Sequence, residues 1–168
     1  MTVGFEGRFH TFVLIRTITY AALFIAFVLL YLPARVLQWA GVGRPTLGVP
    51  QVIALVVGAA GAAVALWCVG TFAFVGRGTP APFDPPRRLV VRGPYRRVRN
   101  PMYIGAAVAL GAAALFYESV ALLAFTAGFL LVTHLFVVGY EEPALRRSFG
   151  AEYDAYCREV RRWRPKLS

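Results

Sequence analysis

The sequence predicts an all-α integral membrane protein of about four transmembrane helices followed by a C-terminal amphipathic helix. Three observations carry that prediction. Apolar residues make up 58% of the 168 and charged residues only 15%, for a mean hydropathy of +0.61. The apolar residues fall in long unbroken blocks of Leu, Val, Ala and Phe. The arginines flank those blocks and give most of the net charge of +10. A chain of this length has room for one domain, here read as spanning residues 1–168.

The same observations narrow the function classes. A pI near 10.4 ordinarily points to nucleic acid. Here the basic residues sit at the ends of apolar spans, where they set topology, so nucleic acid is not expected as a partner. Cys68 and Cys157 fall in a span and in the tail and form no disulfide or metal pattern. His10 and His134 have no metal-ligand spacing either, so no metal is expected. The first apolar stretch is too long for the core of a cleavable signal.

Residues 1–10 read as an interfacial lead-in. Residues 11–32 form the first span, long enough for a hydrocarbon core of about 30 Å, with Arg16 placed to snorkel and Pro33 ending it. Residues 33–49 are a loop carrying Arg35, Arg44 and the interfacial anchor Trp39. Residues 50–75 are a second span free of charge. Gly58 and Ala62, and Gly61 and Ala65, stand at the spacing that lets another helix approach closely. Residues 76–100 form a polar connection stiffened by Pro80, Pro82, Pro85 and Pro86.

The third span, residues 101–116, is short at roughly 24 Å. Gly105, Ala109 and Ala113 form a second small-residue stripe on it. Residues 117–119 make a tight break, and residues 120–140 complete a helical hairpin. From Pro143 to Trp163, apolar residues recur every three or four positions through Leu145, Phe149, Tyr153, Tyr156 and Val160. That pattern predicts an amphipathic helix lying on the bilayer, weakened in the middle by Gly150.

Arginine placement sets the topology. Residues 76–99 carry seven arginines and the tail 141–168 carries six plus Lys166, against two in the loop 33–49. The positive-inside rule puts the 76–100 loop and the tail in the cytosol, together with the N-terminus. The start of the third span and the pair Glu141-Glu142 then lie on one face, at the two ends of one hairpin.

The stretch RGPYRRVRNPMYIG, residues 92–105, concentrates chemistry at that face. Asn100 suits a helix cap and Pro101 the first helical position. The free N–H groups and dipole of such a helix start, with Arg99, suit an anion. Glu141 and Glu142 point about 100° apart on a helix, so they serve different partners. Tyr95 and Tyr103 are rings able to stack on a base or face a cation. Arg96 and Arg97 are placed to steer a lipid phosphate. His134, two turns before Glu141, is either a packed residue or a proton acceptor. S-adenosylmethionine, with its carboxylate, ammonium, ribose hydroxyls and sulfonium, fits such a constellation.

RGPYRRVRNPMYIG, followed after a hairpin by YEEPALRRSFGAEYDAY, resembles the integral-membrane methyltransferases. That group includes phospholipid (phosphatidylethanolamine) N-methyltransferases and isoprenylcysteine carboxyl methyltransferases, and the resemblance covers about residues 69–165. It implies a small helical membrane fold that binds S-adenosylmethionine at the cytosolic face and takes a lipid-like acceptor from the bilayer. It implies cofactor roles for Arg99, Asn100, Pro101, Tyr103 and Gly105, for Glu141 and Glu142, and for Gly76 and Gly78. Many relatives have His where this chain has Asn100. NPMY and YEEP are similar to the phosphatidylethanolamine enzymes, which favours an amine acceptor over a carboxylate. Two alternatives stand beside this one: an NADPH-dependent membrane lipid reductase, which shares an RxPxYxG element, and a non-catalytic membrane module.

Overall fold

The computed structural model describes residues 15, 19–20, 22–72 and 88–165. The lead-in, Arg16, the proline-rich connection, and with it Gly76 and Gly78, lie outside the described residues. Every regular element among the described residues is helical. Among the described residues, three helices are long and apolar enough to cross a membrane: α1 (Ala22–Trp39), α2 (Val49–Thr71) and α4 (Val120–Phe149). A fourth, α3 (Pro101–Phe116), is apolar but only 16 residues long. A short helix, α5 (Ala151–Glu159), follows α4. Leu55, Val56, Leu66 and Trp67 on α2, and Leu131, Val132 and Leu135 on α4, face outward, as lipid-facing residues do. The chain is an all-α integral membrane protein.

Among the described residues, the closest backbone approach joins α2 to α3. A Cβ on Gly61 would stand 2.7 Å from the Gly105 carbonyl oxygen and 2.9 Å from the Ala109 nitrogen. A Cβ on Gly105 would stand 2.7 Å from the Gly61 oxygen and 2.9 Å from the Ala65 nitrogen. The two small-residue stripes seen in the sequence thus meet each other, backbone against backbone. Between lipid-solvated helices that close approach supplies dispersion contact where no hydrophobic drive exists. On the other side of α3, Ala106, Ala107 and Leu110 pack with Phe129 of α4, and Val28 and Leu29 of α1 close over them.

The turn of the α3–α4 hairpin is closed locally. Ser119 caps α4, its Oγ accepting from Leu122 N at 3.2 Å. The buried Gln51 of α2 reaches across, its Nε2 donating to Glu118 Oε1 at 2.8 Å.

Pro33, expected to end the first span, does not, and the last span, expected to stop at residue 140, continues through Pro143. The helix of α1 runs past Pro33 to Trp39, and that of α4 runs past Pro143 to Phe149. A proline inside a helix lacks an N–H and crowds the carbonyl four residues back. In both places the turns before it are π-helical, over Ile25–Tyr31 and Val137–Glu141, and the wider turns absorb the misfit. Arg35 and Trp39 are therefore helical, with the Arg35 guanidinium 5.6 Å from the Trp39 ring centre.

The tail also departs from expectation. In place of one helix over 143–163 lying on the bilayer, the chain breaks at Gly150, whose φ of +50° and ψ of −124° suit glycine alone. The break turns α5 inward. Tyr153, Tyr156 and Val160 are buried with Leu89, Leu145 and Phe149, and Tyr156 Oη donates to the Tyr95 carbonyl at 2.7 Å. The amphipathic face therefore covers the 88–99 loop.

Candidate active site at the open end of the hairpin

The loop leading into α3 is anchored before it reaches the site. Residues Gly93–Arg96 form a single 3₁₀ turn that buries Tyr95 against Cys68, Val90 and Phe72. The Tyr95 ring meets Phe72 edge-on at 5.3 Å. Burial first, then the neighbouring Cys68, pushes the Tyr95 phenol well above its ordinary value, and Glu141 and Tyr103 lie within electrostatic reach. Tyr95 is thus a core residue whose hydroxyl end lies near the site. Arg96 and Arg97 remain exposed on the approach to α3.

Asn100 occupies the N-cap position of α3 but makes no capping bond. Its Nδ2 donates instead to the Arg162 carbonyl at 3.3 Å, and the Arg99 N–H donates to the Arg161 carbonyl at 2.9 Å. Side-chain capping was the expectation. A backbone acceptor brought in by the tail has claimed the amide, which leaves the first N–H groups of α3 without a side-chain cap. Pro101 takes the first helical position as expected.

The twin acids come to this helix start from the far end of α4. Tyr103 Oη donates to Glu141 Oε2 at 3.1 Å. Glu142, 8% exposed, takes Arg162 in a two-pronged pair, Nε to Oε1 at 2.6 Å and Nη2 to Oε2 at 2.8 Å. Arg99 Nη1 lies 3.3 Å from the same Oε1 and 2.6 Å from Cys157 Sγ. The two carboxylates thus serve different partners, as their angular offset requires. Arg99 Nε is buried and, among the described residues, has no hydrogen-bond partner.

His134 stands beside this cluster, with its Nδ1 accepting from Trp163 Nε1 at 3.1 Å. While that bond stands, the neutral ring carries its proton on Nε2, so it can take up a further proton only by releasing Trp163. Gly105 is committed to the contact with Gly61 and Ala65.

The structure thus brings Arg99, Asn100, Pro101, Tyr103, Glu141 and Glu142 to one end of the bundle, with His134 at its margin. Sequence reasoning missed Cys157, Arg161, Arg162 and Trp163. The available signal was the basic run RRWR just past the last apolar position of the tail, which reads equally well as a topology determinant.

A small helical membrane fold with this ionic junction between the two ends of a hairpin defines the class within which the chain falls. The family model for phospholipid methyltransferases matches residues 49–152, which is well over half of the chain. The chain belongs to that family. It is a membrane methyltransferase acting on lipid-like substrates, a class that uses S-adenosylmethionine as methyl donor. No curated protein and no solved structure matches it. The matched residues include both arms of the junction, whereas Cys157 and residues 161–163 lie beyond them.

Proposed function

We propose that the protein methylates the amine of a phosphatidylethanolamine-type lipid, using S-adenosylmethionine held between the start of α3 and the twin acids. The single observation that carries this reading is the meeting of Tyr103 with Glu141 and of Arg99 with Glu142, from motifs about 40 residues apart. Arg99 supports the fit: its buried Nε lacks a partner and suits a carboxylate. The uncapped N–H groups of α3 add a dipole of the same sign. Glu141 suits the ammonium or the ribose hydroxyls of the donor, and the Tyr95 hydroxyl and the Tyr103 ring border that region. Gly76 and Gly78 enter on the family resemblance alone. The strong arginine bias of the 88–99 loop and the tail supports a cytosolic site, with both termini on that side.

Bound S-adenosylmethionine supplies a methyl group already activated by a sulfonium. The protein's share is alignment and exclusion of water. A neutral amine would take that methyl as the carbon–sulfur bond breaks and S-adenosylhomocysteine leaves, and the proton shed by the methylated amine would go to water or to the lipid's own phosphate. Arg96 and Arg97, exposed beside the site, would steer that phosphate. His134 would take the proton only after Trp163 lets go of the ring.

The test is methyl transfer from labelled S-adenosylmethionine into a total lipid extract. Label in mono- or dimethylated ethanolamine lipid is the expected result. Label released by mild base from a prenylated cysteine ester would move the acceptor to the carboxylate class. No transfer to any lipophilic acceptor would overturn the reading.

A further inference from the structure

The four charged groups of the junction are unequally engaged. Arg162 occupies both oxygens of Glu142, at 2.6 and 2.8 Å, while Arg99 reaches that carboxylate only at 3.3 Å. Glu141 has a neutral phenol on one oxygen and, among the described residues, no ion pair. Setting the Arg162–Glu142 pair aside leaves one cation, Arg99, and one carboxylate, Glu141. Together they are the complement of a zwitterion.

Arg162 does not arrive there as a loose side chain. It sits in a strap, residues 161–163, fixed to three parts of the site. The Arg161 carbonyl accepts from Arg99 N, the Arg162 carbonyl accepts from Asn100 Nδ2, and Trp163 Nε1 donates to His134. Glu142 therefore meets a guanidinium whose backbone is held at both neighbours.

We propose that Arg162 is a positioning residue: by holding Glu142 in a two-pronged pair, it limits Arg99 to one longer contact with that carboxylate, so that Arg99, whose Nη1 otherwise meets only the Cys157 sulfur among the described residues, stays available for the anionic group of a zwitterionic amino-acid end and Glu141 for its cationic group. The inference rests on the methyl-donor reading above and assigns the work within that site. Without Arg162, Glu142 turns to Arg99, the other cation in ion-pair contact with it among the described residues, and withdraws it from the ligand. No bond is made or broken by Arg162; it acts on binding.

The test uses the full chain in detergent, with S-adenosylhomocysteine as the probe, its affinity measured by calorimetry and Tm recorded for every variant. Arg162→Met weakens binding by about tenfold, the loss of a charge-assisted contact. It raises KM for S-adenosylmethionine with kcat little changed. The double variant Arg162→Met/Glu142→Gln removes captor and captive together, so affinity returns to within about threefold of wild type. A purely structural Arg162 would lower Tm without this rescue, and that result overturns the proposal. Tighter binding in Arg162→Met would make the strap a plug that the ligand displaces, which also overturns it. Wild-type protein that binds no S-adenosylhomocysteine overturns the methyl-donor reading itself, and this proposal with it. Should Arg162→Met fail to fold, Arg162→Gln and its double with Glu142→Gln are read in the same way.

Discussion

The two ends of the α3–α4 hairpin are built on opposite plans. At the turn, helix α4 starts on Ser119, whose side chain caps its own helix, and Glu118 is held by a neutral amide from Gln51. At the open end, helix α3 starts on Asn100, equally able to cap, whose side chain is drawn instead to the tail. There, Glu141, Glu142, Arg99 and Arg162 crowd together, with one guanidinium nitrogen left unpartnered. One end satisfies its polar groups within the fold. The other holds charge in reserve, which is what the proposed donor site calls for.

The contrast is best broken at Glu142. Replacing it by alanine leaves Arg99 and Arg162 facing each other without their shared carboxylate, and stability falls by about 3 kcal/mol, read as thermal unfolding in detergent. Glu141→Ala should leave the melting temperature nearly unchanged while weakening S-adenosylhomocysteine binding, so the twin acids separate into one that holds the fold and one that meets the ligand.

The α2–α3 contact next to the site gives the second-largest effect. Gly105→Val places carbon within 2.7 Å of the Gly61 oxygen and costs about 2 kcal/mol or more of stability. Gly58→Ala, whose Cβ would meet only the Ala112 methyl at 3.3 Å, should cost far less. Equal melting temperatures for the two variants would show that α2 and α3 do not touch at Gly105.

Tyr103→Phe removes one hydrogen bond to Glu141 and should cost about 1 kcal/mol, seen in donor KM more than in Tm. Ser119→Ala is the control from the quiet end. It should lower stability by about 1 kcal/mol through loss of the cap, with kcat/KM unchanged. A change in activity from Ser119→Ala would erase the distinction between the two ends.

Much of this was legible before any coordinates. Pro101 at one end and the 117–119 break at the other give α3 its limits. The four-residue spacing of Gly61 and Ala65, and of Gly105 and Ala109, marks the two faces that meet. RNPMY and YEE mark the residues that meet at the open end, because a hairpin must return its second helix to where the first began. The read-through at Pro33 and Pro143 was not legible, since local rules stop a helix there and a π turn is a response to packing. Nor was the inward turn of α5. Its apolar periodicity suits a lipid surface and a protein surface alike.

The sequence by itself determined the membrane class, the small-residue faces and the motif residues, because hydropathy, residue size and short spacings are local quantities. Only the tertiary structure decided that Asn100 forgoes its cap, that Glu142 belongs to Arg162 and that Trp163 holds His134. Those are contacts between residues 20 to 62 positions apart. Which donor reaches a given acceptor depends on how the tail folds back at Gly150, and a charged side chain in a basic run carries no local mark of the partner it will find.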